Sequence, residues 1–223
     1  MPALRQWIRT TLARTLPRNW FLVAGPSWSN TICLTFDDGP HPEHTPRVLD
    51  ALKEAGVVGT FFVIGERAEQ YPDLVRRIVS EGHVLGHHSL THSPPHETSS
   101  RQLLAEVQRT RDLLRELVGE APILFRPPHG KLTARKFVRL WRAGLTIVLW
   151  NVDPRDYARQ SEDELCDWFR ANPLRAGDIV LFHDNQPHAA GVLGELVAMA
   201  RERRLSFTTP LDWKRADLAK ERS

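Results

Sequence analysis

Seven short apolar runs, separated by stretches of helical periodicity, decide what this 223-residue chain can fold into. The runs cover residues 31–36, 57–64, 83–86, 123–125, 145–150, 178–182 and 205–207. Between them, residues 46–55 follow a Thr45 cap and carry proline in the first turn. Residues 99–118 place Leu103, Leu104, Val107, Leu113, Leu114 and Leu117 at helical spacing. Residues 162–170 and 192–203 read the same way. Strands alternating with helices form parallel βα units. Seven such units in one domain predict a closed or nearly closed α/β barrel, with a doubly wound open sheet as the alternative.

The ends of the chain read differently. In residues 1–20, Leu4, Trp7, Ile8, Thr11, Leu12 and Leu16 fall on one helical face, arginines flank it, and Pro17 ends it. This predicts a helical arm docked on the barrel. A basic amphipathic helix also suits peripheral contact with an anionic membrane. The expected division is an arm over 1–30, one domain over 31–210 and a tail over 211–223. Net charge is +3, but residues 1–36 alone hold Arg5, Arg9, Arg14 and Arg18 with no acidic residue. The body is therefore near neutral, which argues against a nucleic-acid partner. No run approaches the length of a membrane span, and arginine and threonine interrupt any secretory core at the N-terminus. The sequence thus reads as cytoplasmic, with membrane association through residues 1–20 as a further possibility. Cys33 and Cys166 lie far apart in apolar segments and read as buried free thiols.

The residues that end the apolar runs carry the chemistry. Asp37 and Asp38 follow the first run, and His88 and His92 the third. Arg126 ends the fourth, Asp153 follows the fifth, and His183 with Asp184 ends the sixth. Barrel active sites gather at the C-terminal ends of the strands. Five strands would therefore bring charged or metal-binding groups to one rim.

Residues 35–40 read TFDDGP, which is turn chemistry in its bland reading. Two adjacent carboxylates cannot both enter one core, so the functional reading makes one a metal ligand and the other a base. In residues 88–92, HSLTH, histidines at i and i+4 share one side of a helical turn. One aspartate and two histidines leave coordination positions open, as a catalytic metal requires. Such ligands suit zinc, cobalt, iron or manganese. His83 and His87 are spare imidazoles nearby, with His87 placed to support a ligand. In residues 126–131, RPPHGK, Arg126 can pair with a carboxylate and keep it ionised. The rigid Pro127–Pro128 loop can present the His129 backbone N–H to an oxyanion. Residues 151–157 (NVDPRDY) and 181–184 (LFHD) set a histidine at one strand end beside an aspartate from its neighbour. Asp153 is the expected partner of His183, favouring its protonated form.

Taken in order, TFDDGP, HSLTH, RPPHG, VDPRDY and LFHD resemble the five motifs of the polysaccharide deacetylases, the NodB-homology or carbohydrate esterase family 4 group. The resemblance covers about residues 30–210. It implies a distorted (β/α)7 barrel and a divalent metal, zinc first, held by Asp38, His88 and His92. It makes Asp37 the base, held by Arg126, and His183 the acid, tuned by Asp153. Leu181 should line an acetyl-methyl pocket and Trp150 should help wall the site. The implied reaction is hydrolysis of the N-acetyl group of an amino sugar in a polysaccharide, oligosaccharide or glycolipid. Two positions depart from the family pattern: His129 stands where tyrosine is usual, and Tyr157 where tryptophan is usual. They leave the chemistry intact and alter the sugar-facing wall.

Other classes remain to be weighed. A facial triad of two histidines and a carboxylate also serves non-haem iron oxygenases, but those need no Asp37–Arg126 pair and no His183. A carbohydrate-binding pseudoenzyme should lack a ligand or the base. An O-acetyl esterase or small-amide hydrolase would use the same site.

Overall fold

The computed structural model describes residues 17, 19–94 and 96–220. The proposed arm over residues 1–20, whether docked or membrane-facing, therefore lies almost wholly outside the described residues.

Eight strands form the sheet: β1 (Phe21–Leu22), β2 (Thr31–Asp37), β3 (Gly59–Val63), β4 (Val84–His87), β5 (Leu124–Phe125), β6 (Thr146–Val148), β7 (Ile179–His183) and β8 (Ser206–Phe207). Their order is β1-β6-β5-β4-β3-β2-β7, every pairing is parallel, and β8 pairs with the start of β2. The seam between β1 and β7 is bridged by backbone bonds. Gly25 N–H donates to Gly177 O at 2.7 Å, and Leu181 N–H donates to Val152 O at 3.0 Å. The result is a distorted (β/α)7 barrel.

Side chains alternate across each strand, so one set faces in and the other faces the helices. Leu22, Cys33, Phe62, Leu124, Val148 and Ile179, from six strands, pack together inside the barrel. The outward set meets the helices. Ile32, Leu34, Phe36, Val180 and Phe182 pack on α1 (His44–Ala55), α6 (Glu162–Ala171) and α7 (Ala189–Glu202). Phe21, Phe125, Ile147 and Leu149 pack on α4 (Ser100–Val118) and α5 (Ala134–Arg142). Two shorter helices, α2 (Gly65–Gln70) and α3 (Pro72–Ser80), lie between β3 and β4. In α4 the capping box is complete: the Ser99 hydroxyl accepts from Gln102 N–H, and the Gln102 side chain accepts from Ser99 N–H.

Three expectations need correction. The domain does not begin at residue 31, because Phe21 and Leu22 pair with Ile147 and Val148 in the sheet. A two-residue strand is too short to show a period in sequence. Helix α1 starts at His44, and Thr45 does not cap it. The Thr45 hydroxyl is buried and instead meets Asp184 across the barrel rim. Residues 210–220 are not a tail but a helix, α8 (Pro210–Lys220). Its Trp213 is 4% exposed and completes the barrel-interior cluster.

Trp213 closes the end of the barrel opposite the strand C-termini. Its indole N–H donates to the Thr31 hydroxyl at 2.8 Å, at the start of β2. The ring lies flat against Gly25, where a Cβ would sit 2.3 Å from ring carbon. Removing this side chain leaves a large cavity with poor means of collapse. Trp213→Ala is expected to lower stability by about 3–5 kcal/mol. Guanidinium unfolding checks this, and a loss below about 1 kcal/mol would remove the plug from the account of the core.

Candidate active site

The alternation that builds the barrel also sorts the two aspartates. On β2, Cys33, Thr35 and Asp37 share the inward face, so Asp37 arrives inside the mouth, 3% exposed. Asp38 comes one residue later, with φ at 71°, and its carboxylate turns out onto the rim. One carboxylate is thus buried beside the barrel's polar interior and the other faces the histidines.

His88 follows β4 and is 3% exposed. Its Nδ1 lies 2.6 Å from the Arg126 carbonyl, so Nδ1–H donates and the Nε2 lone pair points into the mouth. Burial pushes its pKa down to about 3, which keeps the ring neutral. His92 has φ at 58°, and its backbone N–H donates to the Ser89 hydroxyl at 3.0 Å. Asp38 Oδ1 lies 3.5 Å from His88 Nε2 and 3.4 Å from His92 Nε2. These separations exceed a hydrogen bond. They match two donors on one tetrahedral ion, which at metal–ligand distances near 2.1 Å stand about 3.4 Å apart. Asp38 Oδ1 is also buried with no hydrogen-bond partner. The three donor atoms lie within 4.8 Å of one another. This set fits a divalent metal with nitrogen and oxygen preference.

Arg126 is fully buried and spends its guanidinium in the barrel interior. Nη1 donates to Asp37 Oδ1 at 2.7 Å and to the Thr35 hydroxyl at 2.8 Å. Nε and Nη2 donate to the carbonyls of Val148 and Leu149, and Phe62 lies 4.1 Å below the group. Burial raises the Asp37 pKa and the Arg126 charge works against that rise. The Asp37 oxygen not bonded to Arg126, Oδ2, is 3.7 Å from His88 Nε2, so this carboxylate faces the same space as the ligands.

His183 ends β7, in register with Asp37. Its partner is Asp156, not the expected Asp153. Asp156 is 1% exposed, and its two oxygens take His183 Nδ1 and the His183 backbone N–H, each at 2.7 Å. Asp153 instead accepts from Arg155 N–H at 3.0 Å, a local turn. Arg155 then takes φ of 56° and swings Asp156 back under the histidine. Burial alone would lower the His183 pKa, but the hydrogen bond and charge of Asp156, joined by the charges of Asp37 and Asp38, more than reverse this, and it rises to about 9.

Of the expected wall residues, Leu181 and Tyr157 lie by this pair, and His129 and Trp150 lie by His92 and Arg126. Leu181 lies two residues before His183 on the same face of β7, 3% exposed. Tyr157 stands edge-on to the His183 ring at 5.2 Å and is 53% exposed. His129, with φ at 56°, sets its ring 4.9 Å from that of His92. Trp150 packs against Gly130 and lies 5.5 Å from the Arg126 guanidinium. The spare histidines have other places. His87 alternates to the outside of β4 against Phe125, both ring nitrogens buried without partners, and does not support a ligand. His83 accepts from Gly59 N–H through Nδ1.

Known proteins bear on this constellation. Residues 24–148 match the family model described as polysaccharide deacetylase. A chitooligosaccharide deacetylase of Sinorhizobium fredii is 39% identical over 78% of this chain and 78% of its own. The chain belongs to the polysaccharide deacetylase family. A peptidoglycan-N-acetylglucosamine deacetylase of Bacillus cereus is 35% identical over 73% of this chain, and the match spans only 59% of that relative's length. The crystal structure of a peptidoglycan N-acetylglucosamine deacetylase superimposes with a TM-score of 0.81 at 31% identity, covering 85% of this chain and 90% of the other. Within the family span of 24–148 fall Asp37, Asp38, His88, His92 and Arg126, while the Asp156–His183 pair lies beyond it. Among the described residues of this deacetylase-family chain, no helix is long and apolar enough to cross a membrane.

Proposed function

We propose that this chain is a metal-dependent hydrolase that removes the N-acetyl group from an amino sugar, an N-acetylglucosamine unit of a polysaccharide, oligosaccharide or glycolipid. One observation carries the reading. An Asp38–His88–His92 donor set shares the barrel mouth with an arginine-held carboxylate, Asp37, which stands in register with an aspartate-held imidazole, His183. Base, metal and acid thus converge on one mouth. The names of the relatives in Sinorhizobium and Bacillus support the substrate class.

Bound at this set, zinc would act as a Lewis acid on the acyl carbonyl and lower the pKa of water. Asp37, ionised against Arg126, takes the proton of the attacking water. The His129 backbone N–H meets the oxyanion. His183, protonated at neutral pH and held by Asp156 at Nδ1, gives its Nε2 proton to the departing amine. Acetate and a free amino sugar result. Leu181 shapes the methyl pocket, and Trp150 and Tyr157 flank the sugar.

The test is acetate release from matched N-acetylated and O-acetylated glycans, with and without chelator. We expect release from N-acetylated chitooligosaccharide that falls to background on chelation and returns with zinc or cobalt. Release from the O-acetylated set alone would make the chain an esterase. Full activity after complete metal removal would overturn the metal assignment.

A further inference from the structure

The LFHD segment contains a buried carboxyl that the reaction above leaves unused. Asp184 is 1% exposed and sits beside the turn that carries Asp38. Its Oδ2 lies 2.5 Å from the Thr45 hydroxyl, and its Oδ1 is buried with no hydrogen-bond partner. The carboxyl group also presses on Gly39. A Cβ there would stand 2.0 Å from Asp184 Oδ2, so only glycine fits next to Asp38.

The contacts form a closed ring around the turn. Asp184 N–H donates to Asp37 O at 3.1 Å, and Ile64 N–H donates to Gly39 O at 2.9 Å. The Thr45 hydroxyl, while donating to Asp184, accepts from His41 N–H at 2.7 Å. Residues 37–45 are thereby fastened at both ends and in the middle, and Asp38 occupies the left-handed region within them. A non-glycine residue holds that conformation only where its surroundings over-determine it.

We propose that Asp184, clamped between Gly39 and the Thr45 hydroxyl, is a positioning residue that holds Asp38 in its left-handed conformation so that its carboxylate faces His88 and His92. This rests on the reading of Asp38, His88 and His92 as metal ligands. Asp184 touches neither substrate nor reacting atoms. It acts through Asp38, as outer partners of metal ligands do.

The test measures zinc affinity of the full chain by competition with a chromogenic chelator, beside the melting temperature of the metal-free protein. Asp184→Ala and Thr45→Val should each weaken zinc binding about 10–100-fold. Thr45→Ser, which keeps the hydroxyl, should stay within about threefold. The double variant should bind no more weakly than the poorer single one, because both remove one clamp. Thr45→Val is nearly isosteric and keeps the test open if Asp184→Ala does not fold. Zinc affinity unchanged in these variants, with only a lowered metal-free melting temperature, would reduce Asp184 to a packing role and overturn the proposal. Failure of the wild-type chain itself to bind zinc would instead overturn the ligand assignment beneath it.

Discussion

An Asp37→Asn variant is expected to keep its metal and lose turnover by about 10²–10⁴-fold, whereas His88→Ala loses both. The division follows from where β2 delivers its carboxylates. Asp37 is turned inward and already bonded to Arg126 at 2.7 Å through Oδ1. Asp38 Oδ1 stands 3.4–3.5 Å from both imidazole Nε2 atoms. Asparagine at 37 retains the shape and an oxygen acceptor for Arg126 but cannot take a proton from water. It also leaves the buried guanidinium without a counter-charge, and breaking a buried pair costs about 3–5 kcal/mol. A lowered melting temperature is therefore part of the expected result, and rates belong at a temperature where the variant stays folded. The check is zinc stoichiometry of the purified variants beside their initial rates. If Asp37→Asn releases zinc, the two aspartates have exchanged roles. If it retains full turnover, the base lies elsewhere.

How far the sequence carried this site depends on which contacts are local. Positions along a strand are legible because side chains alternate, and a polar residue ending an apolar run reaches the barrel mouth. By that logic Asp37, His88, Arg126 and His183 were expected together, and in the structure Arg126 lies buried inside the barrel, bonded to Asp37, which stands in register with His183 and 3.7 Å from His88. It named Asp153 as the partner of His183 and passed over Asp156, three residues further on after the same strand. The choice is made by the turn at Arg155, whose positive φ has no glycine or asparagine to announce it. Thr35 was hidden for the opposite reason. A threonine inside an apolar strand reads as ordinary β chemistry, yet its hydroxyl accepts from Arg126 and donates to Val180 O at 2.6 Å. His87 shows the cost of reading proximity in sequence as proximity in space. One residue from a ligand on a strand is the opposite face, and His87 sits on the helix side. Trp213 lay beyond the last regular unit, where no periodicity linked it to the barrel.

Asp156→Asn should move the pH range in which the enzyme works. In the wild-type chain burial favours neutral His183, but the hydrogen bond and charge of the buried Asp156, with the charges of Asp37 and Asp38, outweigh it and lift the pKa to about 9. As general acid, His183 must be protonated, so activity is lost as pH rises through about 9. With asparagine at 156 the charge of that partner is gone, and only Asp37 and Asp38 still work against burial. The pKa then falls from about 9, and the protonated form is scarcer at a given alkaline pH. Turnover at pH 7.5 should drop by about 10²–10⁴-fold, with partial recovery on acidification. Stability obeys the same sign. A folded-state pKa above the unfolded value contributes stability that is fully present below about pH 6.5 and fades as pH rises through about 9. The variant should lose that dependence, so its melting temperature should change less than the wild type's between pH 6.5 and 9.5. Rate–pH profiles and melting curves on both proteins check this together. An alkaline limb at the same pH in the two would assign it to another group and remove His183 as the acid. Asp153→Asn, at a carboxylate that accepts from Arg155 N–H within its own loop, should leave the limb near pH 9.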